Sequence, residues 1–257
     1  MGAASGFSRL TDRLARQIQL KELGAAGQEK INNAKFFVVG AGGLGSPALM
    51  YLAASGACSI TVADPDEVSA SNLSRQLIHS ESSVGINKAQ NCIESLKTFN
   101  PDVQVAAVPK YVEYNDEFRR LIADSDVVLD CSDNLATRHA VNKLCFELGI
   151  PLVFGSAVHF SGQVAVFNFR NKQQSACYRC LFDEDDEAND QKAAQVGVFS
   201  ALTGLVGTLQ ASEALKIAAG IGESLENRLL LIDLLSMRFE EIKFRKRRRC
   251  PVCGSLR

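Results

Sequence analysis

The chain alternates between short apolar runs and longer segments in which apolar residues recur at helical spacing. The first run, Ala34–Val39, is almost continuously apolar and ends in glycines, which is typical of a parallel strand buried on both faces. The same patterns predict three further strands and three helices, at Ser59–Ala63, Gln104–Val108, Asp126–Asp130, and at Ser46–Ala57, Lys88–Phe99, Arg138–Leu148. Strands alternating with helices predict an α/β fold with a Rossmann-like, largely parallel sheet.

The pattern changes after Pro151. Two strands are predicted in direct succession, at Leu152–Val158 and Gly162–Phe169, so we expect antiparallel strands to continue the same sheet. After an acidic stretch come a long buried helix and two closing strands, predicted at Val198–Ala219, Leu229–Asp233 and Arg238–Phe244. Because no repeat or low-complexity linker interrupts the chain, we predict a single domain over residues 1–257, with N-terminal helices or an arm at about 1–33.

A glycine-rich motif follows the first strand. Gly40, Gly42, Gly43 and Gly45 match G-x-G-x-x-G between a predicted strand and a predicted helix. Glycines permit a tight turn and let the backbone approach a phosphate, and the helix N-terminus offers free N–H groups. Asp64 ends the second strand, where an acidic residue can bind ribose hydroxyls. The motif predicts nucleotide binding without distinguishing NAD from ATP.

Charged residues beyond this motif favour a triphosphate. Arg75 and Lys88 can neutralise the negative charge of a triphosphate while pyrophosphate leaves. A hydride-transfer enzyme has no need for these two cations. Asp133 and Asn134 follow the fourth strand, at the sheet edge where ligands bind, and Asp133 can hold Mg²⁺ through one carboxylate. The alternative is ordinary surface charge with an Asx turn at residues 133–134.

The eight cysteines include two C-x-x-C pairs, Cys177 with Cys180 and Cys250 with Cys253. Four thiolates suit a tetrahedral Zn²⁺ site, which would be structural because it leaves no open coordination position. A redox pair or four unrelated thiols are the alternatives. Residues 1–10 lack the apolar segment of a signal peptide, so we expect reduced thiols and a cytoplasmic protein.

The composition argues against several other classes. With 46% hydrophobic and 22% charged residues, the chain is expected to be globular rather than disordered or fibrous. A net charge of −1 gives no general reason for nucleic-acid binding, although residues 243–249 form a basic run. The longest apolar stretch, Val196–Leu209, is too short to span a bilayer, so no membrane association is expected. The three histidines lack metal-ligand spacing and receive no role.

These motifs together resemble the MoeB/ThiF/HesA family of adenylyltransferases for ubiquitin-like sulfur carriers, which are related to ubiquitin-activating enzymes. The resemblance extends from about Thr11 to Gly254. It rests on the glycine loop, Lys88, both C-x-x-C pairs and three short runs: Arg16-Gln17, Ser71-Asn72-Leu73-Ser74-Arg75-Gln76 and Cys131-Ser132-Asp133-Asn134. It implies a homodimer that uses ATP and Mg²⁺ to adenylylate the C-terminal Gly-Gly carboxylate of a sulfur carrier, in molybdopterin or thiamine biosynthesis. A sulfurtransferase or cysteine desulfurase is a further implied partner.

The resemblance and the charges assign roles to individual residues. Arg75, Lys88 and Arg16 are assigned to the phosphates, with Arg16 reaching in from the other subunit. Asp64 is assigned to the ribose, Asn72 to the phosphate region and Asp133 to Mg²⁺. The remaining expected nucleotide-site residues are Asp66, Ser71, Leu73, Ser74, Gln76 and Asn134. Residues 34–150 would form the nucleotide-binding half, and residues 151–257 the carrier-binding half with the zinc site.

Covalent transfer of the carrier is not expected. Family members that form such a link have a cysteine shortly before the long helix, whereas residues 190–197 contain none. The alternatives are an activator that nevertheless forms a thioester or persulfide, an NAD-dependent oxidoreductase, and a scaffold without activity. The sequence does not choose between the molybdopterin and thiamine carriers, nor does it assign a role to the acidic residues 183–187.

Overall fold

The computed structural model describes residues 12–182 and 196–254. They build one eight-stranded sheet in the order β3-β2-β1-β4-β5-β6-β7-β8. The strands are β1 Lys35–Val39, β2 Ser59–Ala63, β3 Gln104–Val108, β4 Val127–Asp130, β5 Leu152–Val158, β6 Ser161–Phe167, β7 Arg228–Asp233 and β8 Arg238–Lys243. Strands β1 to β5 pair in parallel, and β6, β7 and β8 continue the sheet in antiparallel fashion. The predicted mixed α/β sheet is confirmed.

Helices cover both faces of the sheet. They are α1 (residues 12–18), α2 Gly24–Asn33, α3 Gly45–Ala54, α4 Lys88–Phe99, α5 Asp116–Ala123, α6 Leu135–Leu148, α7 Tyr178–Leu181 and α8 Ser200–Ala219. Three short 3₁₀ turns lie at Ala70–Asn72, Glu81–Ser83 and Phe169–Asn171. None of these helices combines the length and the apolar character needed to cross a membrane.

The position of strand β1 explains why its sequence is continuously apolar. Phe36 and Val38 join the core beneath α3, α4 and α8, while Phe37 and Val39 join the core beneath α5 and α6. Because successive side chains of a strand point to opposite faces, burial on both sides requires an apolar residue at every position. The strand therefore sits at the centre of the fold, and the glycine loop follows directly from its carboxyl end.

Several element boundaries differ from the sequence-based predictions. Helix α3 ends at Ala54 rather than Ala57, because the chain turns at Gly56 with a φ of +96°. Strand β6 ends at Phe167 instead of residue 169, where a 3₁₀ turn begins. Helix α6 starts at Leu135 rather than Arg138, because the Asn134 side chain caps it by accepting from the Thr137 N–H.

Helix α5 was not predicted from the sequence at all. Its signals were nevertheless present: the Asn115 side chain accepts from the Phe118 N–H as an N-cap, and acidic residues fill the first turn. Phe118 and Ile122 bury one face of the helix. The helix spans only two turns, so too few apolar positions repeat for periodicity to reveal it.

Helix α8 packs directly on the glycine loop. An added Cβ at Gly207 would lie 2.1 Å from the Leu44 carbonyl oxygen, so this close approach requires glycine. Gln210 also reaches from α8 into the sheet, where its amide nitrogen donates to the Asp130 carbonyl at 2.7 Å. The second half of the chain is thereby fixed against the loop after β1 and the end of β4.

Candidate active site

A cavity of about 430 Å³ opens at the carboxyl ends of β1, β2 and β4. Its volume lies within the usual range for small-molecule sites. The predicted site residues that line it are Gly40, Gly42, Gly43, Asp64, Asp66, Arg75, Gln76, Lys88, Asp133 and Asn134. The second half of the chain closes the other side with Ala157, Val158, Thr203 and residues 196–198. Since β1 lies between β2 and β4, the cavity occupies the point where the strand order reverses.

The glycines of the loop are required for different structural reasons. A Cβ at Gly45 would lie 1.9 Å from the Gly40 carbonyl oxygen, so the turn closes only because this residue has no side chain. A Cβ at Gly42 would meet Gln76 at an ordinary 3.5 Å, and Gly42 lines the cavity. Gly45 therefore serves the fold, whereas Gly42 leaves room for a ligand.

This difference gives a matched pair of variants. We expect Gly45→Ala to lower the free energy of unfolding by about 2–3 kcal/mol, because backbone must move. We expect Gly42→Ala to stay folded but to weaken Mg-ATP binding about tenfold, because its methyl group occupies ligand space. Urea unfolding and calorimetric titration measure the two effects. Equal losses of stability in both variants would contradict the assignment.

Asp64 braces the glycine loop. One carboxylate oxygen accepts the Ala41 N–H at 2.7 Å and the other accepts the Asp66 N–H at 2.9 Å. Burial raises the pKa of Asp64 above its usual value, and the two backbone donors oppose that shift. The side chain is thus fixed at the end of β2, on the cavity wall where the sequence predicts a ribose ligand.

Lys88 is the first residue of α4 and is almost fully buried. Its ammonium group lies 3.0 Å from a carboxylate oxygen of Asp66, whose side chain is about half exposed. A cation at a helix N-terminus opposes the helix dipole, so this position does not stabilise the helix. Its location on the cavity wall instead suits an anionic ligand.

Arg75 lines the same cavity. In the described part of the chain it makes one long hydrogen bond, 3.4 Å to the Ser71 carbonyl, and no ion pair. Neighbouring Gln76 is 4% exposed, and its side-chain oxygen has no hydrogen-bond partner among the described residues. Buried polar atoms normally have partners, so both side chains suit a polar ligand.

Asp133 and Asn134 lie at the end of β4 and line the cavity. The Asp133 side chain is exposed and accessible, whereas the neighbouring carboxylate of Asp130 is buried and accepts from the Ser132 N–H and hydroxyl. Asn134 uses its side-chain oxygen to cap α6. Asp133 is therefore the carboxylate of this pair that remains available to a metal ion.

Some predicted site residues do not line the cavity. Gly45 lies behind the loop, and residues 71–74 form the turn that carries Arg75, with the Asn72 carbonyl accepting from the N–H groups of Arg75 and Gln76. Arg16 is exposed on α1 and does not line the cavity of its own chain. The acidic residues 183–187, and residues 190–195 of the stretch without cysteine, lie outside the described residues.

Among the charged and aromatic residues that line the cavity, three had no role in the sequence analysis: Lys110, Tyr111 and Arg138. Lys110 forms an ion pair with Glu117, at 2.7 Å. The Arg138 guanidinium donates to the Ser132 carbonyl at 2.8 Å and lies over the Phe154 ring. A cation in the first turn of α6 opposes the helix dipole, and this was the signal that could have identified Arg138.

The four cysteines of the two C-x-x-C pairs come together as predicted. Their sulfur atoms all lie within 4.8 Å of one another, and all four residues are buried. The separations are 3.6 Å for Cys177–Cys250, 3.4 Å for Cys180–Cys253 and 4.0 Å for Cys177–Cys180. Tetrahedral Zn²⁺ with Zn–S bonds of 2.3 Å would place sulfurs about 3.8 Å apart, so the donor set fits the metal. The Arg247 N–H also points to Cys180 Sγ, at 3.4 Å.

A glycine loop between a strand and a helix, with Asp64, Arg75 and Lys88 on the cavity wall where the strand order of a parallel sheet reverses, is the arrangement of nucleotide-binding α/β proteins. Comparison of the chain with known protein families identifies which family it belongs to. The ThiF family model matches residues 14–252, and the chain belongs to this family.

Curated relatives cover almost the whole chain. The chain is 42% identical over 244 residues to the SAMP-activating enzyme E1 of Haloferax volcanii, covering 95% of this chain and 88% of the relative. It is 42% identical over 246 residues to the sulfur carrier protein adenylyltransferase of Thermus thermophilus, covering 95% and 90%. It is 38% identical over 242 residues to the molybdopterin-synthase adenylyltransferase of Escherichia coli, covering 94% and 96%.

A solved structure supports the fold. The crystal structure of E. coli MccB with ATP superposes with a TM-score of 0.79 at 24% identity, covering 94% of this chain and 73% of that one. At this identity the likeness concerns the fold alone.

Proposed function

We propose that the protein adenylylates the C-terminal Gly-Gly carboxylate of a ubiquitin-like sulfur carrier with ATP and releases pyrophosphate. The observation that carries this proposal is the Arg75 cation, held on the cavity wall beside Gln76 without an ion pair in the described residues. The relatives named for sulfur-carrier and molybdopterin-synthase adenylylation support the same reaction.

The chemistry needs positioned charges rather than a general base. A C-terminal carboxylate has a pKa of about 3.5, so it is ionised at neutral pH and can act directly as the nucleophile. Its oxygen attacks the α-phosphorus, the bond to the bridging oxygen of the β-phosphate breaks, and pyrophosphate leaves. Arg75 and Lys88 offset the charge of the two anions and of the leaving group, and Asp64 holds the ribose.

Asp133 fits the role of a Mg²⁺ ligand. Mg²⁺ is usually held by one or two carboxylates together with phosphate oxygens and water, so one exposed carboxylate on the cavity wall suffices. The ion would neutralise phosphate charge next to the two cations. In this proposal Gly40, Gly42, Gly43, Asp66, Gln76 and Asn134 line the nucleotide.

A homodimer would complete the site. Arg16 is exposed and does not line its own chain's cavity, which suits a side chain that enters the site of a second subunit. Exposed Leu20 and Tyr51 border an apolar cavity of about 220 Å³ between α1, α2, α3 and α8. An apolar surface of this kind suits a subunit contact.

The exposed face of the antiparallel strands suits the carrier. Phe160 at the β5–β6 turn stacks on Phe199 with ring centroids 5.1 Å apart, and both remain partly exposed. Leu235, Met237 and Phe239 extend this exposed apolar character along the β7–β8 hairpin. Exposed aromatic and aliphatic side chains of this kind commonly mark protein-binding surfaces.

The remaining parts of the proposal concern zinc, location and sulfur supply. In this proposal the buried cysteine cluster binds Zn²⁺ as a structural ion, and the protein is a cytoplasmic enzyme whose thiols stay reduced. The MOCS3 protein of Drosophila yakuba is named as both an adenylyltransferase and a sulfurtransferase, and the chain spans 53% of its length at 40% identity. A separate sulfurtransferase or cysteine desulfurase would then act on the acyl-adenylate.

ATP–pyrophosphate exchange tests the proposed reaction. We expect exchange only when a molybdopterin-type or thiamine-type carrier with an intact Gly-Gly terminus is present, because the carboxylate is the nucleophile. Carriers lacking the last glycine are the matched control. Failure of every intact carrier, together with tight NADH binding in a thermal-shift assay, would favour the oxidoreductase alternative.

A further inference from the structure

His79 occupies a buried position between the glycine loop and α4. The residue is 7% exposed. Its Nε2 lies 2.9 Å from the Ala41 carbonyl oxygen, and its Nδ1 lies 2.8 Å from the Asn91 amide nitrogen. An amide nitrogen only donates, so Nδ1 accepts, and Nε2 carries the hydrogen that is donated to Ala41. Both ring nitrogens are thus used, and the contacts select one neutral tautomer.

The contact fixes the middle of the glycine loop from both sides. Ala41 lies between Gly40 and Gly42; its N–H donates to Asp64 and its carbonyl accepts from His79. The loop peptide is therefore held between the ribose acid and the histidine ring. The loop's orientation toward a phosphate depends on this pair of contacts.

The same residue terminates the segment that carries the phosphate-facing side chains. The His79 N–H donates to the Gln76 carbonyl at 3.0 Å, and the N–H groups of Arg75 and Gln76 both donate to the Asn72 carbonyl. The Asn91 partner belongs to α4, the helix that begins at Lys88. His79 thus connects three parts of the site: its ring contacts the glycine loop and α4, and its backbone N–H contacts the segment that carries Arg75.

The surroundings favour the neutral ring. Burial is the main cause that lowers the pKa of His79, the Ala41 contact opposes this shift, and the Lys88 ammonium adds to it. A proton on Nδ1 would also face the Asn91 amide donor.

We propose that His79 is a positioning residue of the phosphate site: its ring donates to the Ala41 carbonyl and accepts from the Asn91 amide, and these two contacts hold the segment that carries Arg75 and Gln76 against the glycine loop and α4. The inference rests on the proposed function, because its effect appears in nucleotide binding. His79 itself touches no reacting atom in this proposal.

The test compares His79→Phe, which keeps the ring volume without hydrogen bonds, with His79→Gln, whose amide can donate to Ala41. For the full-length protein, we expect His79→Phe to raise the Kd for Mg-ATP about tenfold. The glutamine variant should stay within about threefold of wild type, because it restores the donor. Calorimetric titration at a temperature well below the melting point measures both.

The control is Asn100→Leu, which removes a buried hydrogen bond to the Ala57 carbonyl away from the cavity. It should lower the melting temperature without changing the Kd for Mg-ATP. If His79→Phe does not fold, Asn91→Leu replaces it, and an unchanged Kd in that variant would overturn the inference.

The outcomes separate the two proposals. The positioning role alone is overturned if folded His79→Phe binds Mg-ATP with the wild-type Kd. It is also overturned if His79→Gln binds Mg-ATP as weakly as His79→Phe does. Wild-type protein that does not bind Mg-ATP overturns the proposed function and this inference with it.

Discussion

Replacement of Arg75 by alanine is expected to reduce carrier-dependent ATP–pyrophosphate exchange by about a thousandfold or more, as for other arginines that stabilise phosphoryl transition states. The guanidinium group lines the cavity and makes a single long hydrogen bond, to the Ser71 carbonyl, in the described residues. No ion pair with a described residue competes with an anionic ligand for this group, and its loss removes charge where pyrophosphate develops.

The same variant should remain folded. Arg75 forms no ion pair in the described part of the chain, so its removal breaks little that stabilises the protein. Thermal unfolding should shift by only a few degrees. Arg120→Ala, on the exposed face of α5, is the matched control and should retain full exchange. Exchange at the wild-type rate in Arg75→Ala would refute its assignment to the phosphates.

The second large effect concerns the cysteine cluster. We expect Cys250→Ser, or removal of zinc by a strong chelator, to lower the melting temperature by more than 10 °C, because structural zinc contributes several kcal/mol to folding. The cluster joins the residues around α7 to the chain after β8, and its cysteines pack in the core beneath α5 and α6. Four thiols this close, without a cation, also repel one another once any two ionise.

Metal analysis and calorimetry measure this effect. Purified wild-type protein should contain about one zinc per chain, as a single tetrahedral site requires. Cys58→Ser is the control, because this partly exposed thiol lies outside the cluster and serine keeps its contact with the Gly56 carbonyl. A chelator-treated protein with unchanged stability and no bound metal would contradict the structural role.

Most of the fold could be predicted from local patterns in the sequence. The continuous apolar run at β1 and the glycines after it follow from burial on both faces and from backbone sterics, so the sequence alone predicts them. The same holds for Asp64 and Asp133, which occupy strand ends. Residues whose role depends on tertiary contacts could not be predicted in this way. Nothing near His79 in the sequence indicates that its ring contacts Ala41 and Asn91. Likewise, the place of Lys110 on the cavity wall depends on where β3 ends beside β2.

The site residues were predicted unevenly for a related reason. The run from Ser71 to Gln76 was predicted as one unit, yet Arg75 and Gln76 line the cavity and residues 71–74, which form the preceding turn, do not. Periodicity cannot make that division, because a short 3₁₀ turn has no repeating face. The division depends on the hydrogen bonds that both N–H groups make to the Asn72 carbonyl.

The contact between Gly207 and Leu44 couples helix α8 to the glycine loop. An added Cβ at Gly207 would lie 2.1 Å from the Leu44 carbonyl oxygen, so α8 cannot move closer to the start of α3 without displacing this carbonyl. Helix α8 also contacts the end of β4, because the Gln210 side-chain amide donates to the Asp130 carbonyl. Helix α8 therefore holds two edges of the cavity at once, the glycine loop through Gly207 and the end of β4 through Gln210, so a displacement of this helix would be transmitted to both.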